Sequence, residues 1–205
     1  MQKTLRAFVA VPIPDAVAAF LQQIQVRLHA PEMKIRWVAP TNIHLTLKFF
    51  GDIDPSRVDA VAAQMDLAAG SIPAFSLVAR GVGVFPNLRN ARVLWVGLAG
   101  DLDRLGAIHA SLESGLKSVG FSKSPRNFRA HLTIGRTRER IDAQTIRASL
   151  EPLKDVASDS FRVDRLALFR SILKPAGAEY TLLHSSHFMT HAVTNTGGLN
   201  DHFTG

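Results

Sequence analysis

Apolar positions recur along this chain with two alternating periods. Thr4–Val11 is rich in β-forming residues and stops at Pro12, which reads as a strand. Val17, Phe20, Leu21, Ile24 and Leu28 then share one helical face of Asp15–Leu28. Ile43–Phe50 is a strand closed by Gly51. Asp54-Pro55 puts a proline at a first helical position, ahead of a stripe of Val58, Ala62, Met65 and Ala69 that Gly70 ends. Phe75–Phe85 reads as a strand in which Gly81 and Gly83 suggest a bulge, and Pro86-Asn87 turns the chain into a strand over Arg92–Leu98. Leu105, Ile108, Leu112, Leu116 and Val119 line a third helix up to Gly120. A strand over Phe128–Gly135, a short helix over Asp142–Leu150, and strands over Phe161–Phe169 and Glu179–His184 complete the pattern. Residues 1–186 thus form one expected domain, and the Gly-, Thr- and Asn-rich stretch 187–205 reads as a polar C-terminal tail with little to pack.

The pattern repeats. His44-Leu45-Thr46 returns 87 residues later as His131-Leu132-Thr133. The same offset lays Phe8, Val9 and Val11 over Trp95, Val96 and Leu98, and the Asp15 helix over the Asp101 helix. Each half reads strand, helix, histidine-bearing strand, helix, strand. That order predicts an α+β fold of two lobes related by a pseudo-twofold axis, which brings the two histidine strands beside one central cleft.

Alternate side chains of a strand share a face, so His44 and Thr46 point one way and Leu45 and Leu47 the other. His131 and Thr133 likewise oppose Leu132 and Ile134. Neither motif carries a carboxylate, which argues against a hard-cation site, and two histidines alone leave zinc short of ligands. The chain contains no cysteine, which removes disulfides, thiolate nucleophiles and thiolate-held metals. No Gly-x-Ser-x-Gly elbow occurs. What two imidazoles and two hydroxyls do suit is metal-free displacement at a phosphodiester. One imidazole takes a proton from the attacking oxygen, the other gives one to the leaving oxygen, and hydroxyls with a nearby arginine hold the non-bridging oxygens. Lys and Arg number 24 against 17 Asp and Glu, a net charge of +7 that favours a polyanionic partner.

Several separate segments resemble one family. Arg6–Val11, Arg36-Trp37-Val38, Asn42–Phe49, Phe85-Pro86-Asn87, Val93–Leu98, His131–Ile134 and Leu168–Ser171 are similar, in order, to the bacterial RNA 2′,3′-cyclic phosphodiesterases, also called 2′-5′ RNA ligases, of the two-histidine phosphoesterase superfamily. The resemblance covers about residues 4–185. It implies a bilobal fold with mainly antiparallel sheets flanking a cleft, and hydrolysis of a 2′,3′-cyclic phosphate on RNA to a 2′-phosphomonoester without metal or other cofactor. It further implies that His44 is the proton donor, His131 the proton acceptor, and Thr46, Thr133 and Arg136 the phosphate-binding residues. Ala130 stands where the family often has proline, and the tail has no family counterpart.

Other features are read more plainly. Arg136, Arg138 and Arg140 alternate and could share a face along an RNA backbone. Phe49, Phe50 and Phe85 are expected in the core, with base stacking as the alternative. His184, His187 and His191 have loose metal-ligand spacing without a supporting carboxylate, and His29 and His109 read as surface residues. The apolar runs Phe8–Pro14 and Ala16–Leu21 fall short of the roughly 18 residues a spanning helix needs. A cytoplasmic monomer acting on RNA or a nucleotide with a 2′,3′-cyclic phosphate, with no membrane partner, is the resulting expectation. The alternatives are the same fold acting on another cyclic or 2′,5′-linked nucleotide, including ligation of tRNA halves, and a non-catalytic RNA-binding module.

Overall fold

The structure is a computed structural model that describes residues 4–28, 33–125, 127–175 and 177–189. The first half runs β1 (Leu5–Pro12), α1 (Asp15–Arg27), β2 (Ile35–Trp37), β3 (His44–Ile53), α2 (Val58–Gly70) and β4 (Phe75–Phe85). The second runs β5 (Val93–Gly100), α3 (Leu102–Ser118), β6 (His131–Thr137), α4 (Ala143–Leu150), β7 (Phe161–Val163), β8 (Arg165–Lys174) and β9 (Gly177–His187).

Among the described residues these strands form two antiparallel sheets. One has the order β3-β1-β8-β9 and the other β2-β6-β5-β4-β7. The repeat is visible in this order: β3-β1-β8 matches β6-β5-β4. The first half therefore lends β2 and β4 to the second sheet, and the second half lends β8 and β9 to the first. Helices exchange in the same way. Gln25 on α1 donates to the Ile134 carbonyl of β6 at 2.8 Å, while Glu113 on α3 pairs with Lys48 of β3. The larger of two buried clusters joins Val9, Val11, Leu45 and Leu47 of the first sheet to Leu94, Val96, Leu132 and Ile134 of the second. Two lobes that trade strands and helices over a shared core hold their open faces in a fixed relation.

Three expectations change. The ladders set Ala10, Val11 and Pro12 opposite Thr46, Leu45 and His44, and Trp95, Val96 and Gly97 opposite Thr133, Leu132 and His131. The first strands of the two halves thus align two residues away from the expected offset. A slip of two preserves the inward–outward alternation, so hydrophobic patterning is blind to it. The strand expected over Phe161–Phe169 breaks at Asp164, with β7 on β4 in one sheet and β8 on β1 in the other. The chain also stays packed beyond Ser186. His187 ends β9, Phe188 is buried and stacks on Phe75 at 5.9 Å, and Met189 donates its N–H to the Ile72 carbonyl at 3.0 Å. An aromatic side chain gains more from the core than a polar tail boundary allows for. The rest of the tail lies outside the described residues.

Candidate active site

Strands β3 and β6 lie against one another, each presenting its histidine as the first residue. Leu45, Leu47, Leu132 and Ile134 are buried behind them, so His44, Thr46, His131 and Thr133 face the open side. The sequence pattern anticipated these faces.

It did not anticipate how the rings are fixed. His44 Nδ1 lies 2.8 Å from the Asn42 carbonyl oxygen, and His131 Nδ1 lies 2.7 Å from that of Arg129. A carbonyl only accepts, so each Nδ1 is the donor, and each Nε2 is left to exchange a proton with whatever enters the site. Asn42 and Arg129 are themselves separated by the repeat spacing, so this second-residue-back carbonyl is part of the repeat. Applying the repeat to residues that carry no obvious chemistry is the signal that would have found it. Asn42 also donates its side-chain Nδ2–H to the Ala178 carbonyl at 2.7 Å, which ties the carbonyl holding His44 to β9.

The two rings sit in different surroundings. His44 stacks on Phe8 at 4.5 Å and meets the ring of Tyr180 edge-on at 5.4 Å, while Phe169 covers the flank of Phe8. Burial among these rings pushes the His44 imidazole below its ordinary value, only partly offset by its bond to Asn42. Burial likewise pushes the Tyr180 phenol up, against the pull of the Arg136 charge. His131 meets the ring of Phe85 edge-on at 5.0 Å, and Phe85 leans on Trp95 at 5.2 Å. A Cβ at Gly83 would stand 2.3 Å from Cζ2 of that indole, so Gly83 is there to let Trp95 lie across it. The expected bulge belongs to Gly81, where the β4–β5 register slips between Arg80 and Val82.

Bulges also decide where Arg136 points. Five residues after His131 in a regular strand it would face the core. The β5–β6 register slips between Leu94 and Trp95, so Ile134 and Gly135 both turn inward and Arg136 rejoins the face of His131. Its charge acts on the Tyr180 phenol of the other sheet. Arg36 of β2 is the ladder partner of Arg136 and shares its face. The matching slip in β3, between Val9 and Ala10, turns Leu47 and Lys48 inward and Phe49 outward.

Phe49 is therefore not core: it is 49 % exposed, with the Arg6 guanidinium 4.5 Å above its ring. Phe50 packs on Phe121, as a core residue would, and Phe85 belongs to the site. His109 is not a free surface residue either; it stacks on Phe128 at 4.2 Å and lies 3.8 Å from Glu113. Its helix turns toward the connection leading into β6, which the helical pattern alone does not tell. His184 Nε2 pairs with Asp66 at 2.8 Å, and His29 and His191 lie outside the described residues. Arg138 and Arg140 lie beyond β6, which ends at Thr137; the chain bends there, Arg138 donates its N–H to the Lys34 carbonyl at 2.9 Å, and Glu139 pairs with Lys34 at 2.8 Å.

Known proteins are similar to this chain over most of its length. An RNA 2′,3′-cyclic phosphodiesterase of Methanothermobacter thermautotrophicus is 33 % identical over 178 residues, covering 86 % of this chain and 95 % of its own. Another of that name from Thermotoga maritima is 29 % identical, covering 90 % and 96 %. Among solved structures, TT0787 of Thermus thermophilus superposes with a TM-score of 0.75 at 25 % identity, over 90 % of this chain and 98 % of its own. E. coli LigT complexed with 3′-AMP superposes with a TM-score of 0.73 at 26 % identity, over 92 % and 100 %. No helix among the described residues is long and apolar enough to cross a membrane. The family model described as LigT like Phosphoesterase matches residues 11–95 and again 96–180, once for each half of the repeat, and the chain belongs to that family.

Proposed function

We propose that this protein hydrolyses the 2′,3′-cyclic phosphate at an RNA end to a 2′-phosphomonoester, with His131 as general base and His44 as general acid. Water attacks phosphorus and gives its proton to Nε2 of His131. The bond from phosphorus to the 3′ oxygen breaks, and Nε2–H of His44 delivers a proton to that oxygen. Thr46, Thr133 and Arg136 bind the non-bridging oxygens, where charge accumulates. The observation that carries the reading is the matched pair of Nδ1–H bonds to backbone carbonyls, which frees both Nε2 atoms for proton transfer. The names of the relatives support the same substrate class. Arg36 beside Arg136 and the Phe49 ring under Arg6 offer a charged edge and an apolar surface to the nucleotides behind the cyclic end.

One observation favours a second reading with the roles exchanged. Burial holds the His44 imidazole below its ordinary value, which suits a base in the free protein. Against this, the negative phosphate binds beside His44 and raises its affinity for a proton on complex formation. The first reading is tested by incubating the protein with a cyclic-ended oligonucleotide in EDTA and identifying the product by phosphorus NMR. A 2′-phosphomonoester formed by the wild type and by neither His44→Ala nor His131→Ala is expected. A 3′-phosphate, no turnover, or turnover only on adding a divalent ion contradicts it.

A further inference from the structure

The bulge in β3 buries a lysine that the proposed reaction does not use. Lys48 is 4 % exposed. A buried ammonium is tolerated only when its hydrogens are satisfied. Lys48 Nζ donates to Glu113 Oε1 and Oε2 of α3 at 3.0 and 3.1 Å, to the Ser122 carbonyl at 2.6 Å and to Ser124 Oγ at 3.3 Å. Glu113 in turn accepts from Ser124 Oγ at 2.7 Å and from its backbone N–H at 3.2 Å. Burial pushes this carboxyl up, but the Ser124 and Lys48 donors together outweigh it and hold the group ionised. Every partner outside α3 belongs to the connection from α3 to β6, whose described residues 121–125 and 127–130 form neither helix nor strand. The same connection is held a second time where Phe128 stacks on His109. The next residue, Arg129, supplies the carbonyl that fixes His131.

The first half needs nothing comparable. The carbonyl that fixes His44 sits on a single turn of tight helix, Pro40–Asn42, and Asn42 anchors itself on β9. The second half has arginine in place of Asn42, and it has no such turn before its histidine. We propose that the Lys48–Glu113–Ser124 cluster, with the His109–Phe128 stack, positions His131. By anchoring the connection, it fixes the Arg129 carbonyl that selects the Nδ1–H form of the ring. Lys48 lies two residues beyond Thr46, so the strand bearing the first histidine also orients the second. The catalytic meaning of this rests on the reading of His131 above; the orientation itself does not.

The test compares Lys48→Met, the double variant Lys48→Met with Glu113→Leu, and Asp66→Asn. The double variant removes both charges and so recovers the stability that Lys48→Met loses, yet takes away the polar anchor of the connection and leaves only its aromatic contacts. Asp66→Asn disturbs another polar tie, to His184 and Ser186, far from that connection in the chain. Nitrogen NMR reads the tautomer of His131, and kcat and KM are measured on a cyclic mononucleotide. In the double variant, a Tm close to wild type, a mixture of His131 tautomers, and kcat lowered about tenfold at nearly unchanged KM are expected. Asp66→Asn is expected to lower Tm alone. A double variant with wild-type Tm, tautomer and kcat overturns the proposal. A wild type with one tautomer but no turnover overturns the catalytic reading, and a shift to mixed tautomers in the variant then still supports the positioning.

Discussion

The two lobes repeat the same device and then diverge around it. In both, a histidine opens a strand, a threonine follows on its face, a carbonyl two residues back holds Nδ1, and a bulge resets the face beyond. Around His44 the first lobe adds three aromatic rings and pushes its proton affinity down by burial. Around His131 the second lobe leaves an edge of Phe85, and Arg136 returns to the same face at the far end of β6. The bulge holds buried Lys48 in one lobe and Gly135 in the other, where Ile35 and Trp37 fill the space. What is duplicated is the placing of a histidine and a threonine on one strand face with Nδ1 tied to a backbone carbonyl. What differs is the surroundings of the two rings, to which the proposed reaction assigns different roles.

Removing either ring breaks this comparison most severely. His44→Ala and His131→Ala are each expected to lower kcat by ~10²–10⁴ on a cyclic mononucleotide. The double variant should be little worse than the poorer single, because the two act as one unit. The arginines come next. Arg136→Ala should impair even a cyclic mononucleotide. Arg36→Ala should impair only a cyclic-ended oligonucleotide, and less as salt rises, because counterion release supplies that part of the affinity. Equal losses on both substrates for Arg36→Ala would place it at the reacting phosphate instead.

Two smaller effects sharpen the contrast. At Gly135 an added Cβ would stand 2.8 Å from Ile35 Cγ2 and 2.9 Å from Trp37 Cε3. Gly135→Ala is expected to cost ~1–3 kcal/mol in urea unfolding; an unchanged midpoint would show that β2 yields freely. Phe8→Ala should admit water to His44. Burial holds its imidazole below the ordinary histidine value, so as proton donor it is lost earlier as pH rises than an exposed ring would be, and kcat/KM should fall through that limb. Exposing the ring raises its affinity for the proton, so the limb should move to higher pH in Phe8→Ala. A limb that stays put would mean that another group sets it.

His44, Thr46, His131 and Thr133 were legible because alternation in a strand and an exact tripeptide repeat are both written in the residue order. Arg136 was named by resemblance, but its facing depends on a bulge, and one extra residue in a ladder leaves no mark on a hydrophobic pattern. The same slip turned Phe49 outward and Lys48 inward, against the expectation for Phe49. Phe8 comes from β1, the neighbour of β3, but Tyr180 comes from β9 of the other half, and the exchange of strands between halves brings it to His44. The carbonyls of Asn42 and Arg129 carry no residue signature, because every residue has one, and only their spacing within the repeat points to them.

The division of labour is tested most directly by a cyclic phosphate with sulfur in place of the 3′ bridging oxygen. A thiolate leaves without a proton, so a missing general acid no longer matters. The account expects the loss in His44→Ala to shrink from ~10²–10⁴ to less than about tenfold on this substrate, while His131→Ala keeps its full loss. Rescue of His131→Ala in place of His44→Ala would reverse the two roles, and rescue of neither would remove general acid catalysis from the account.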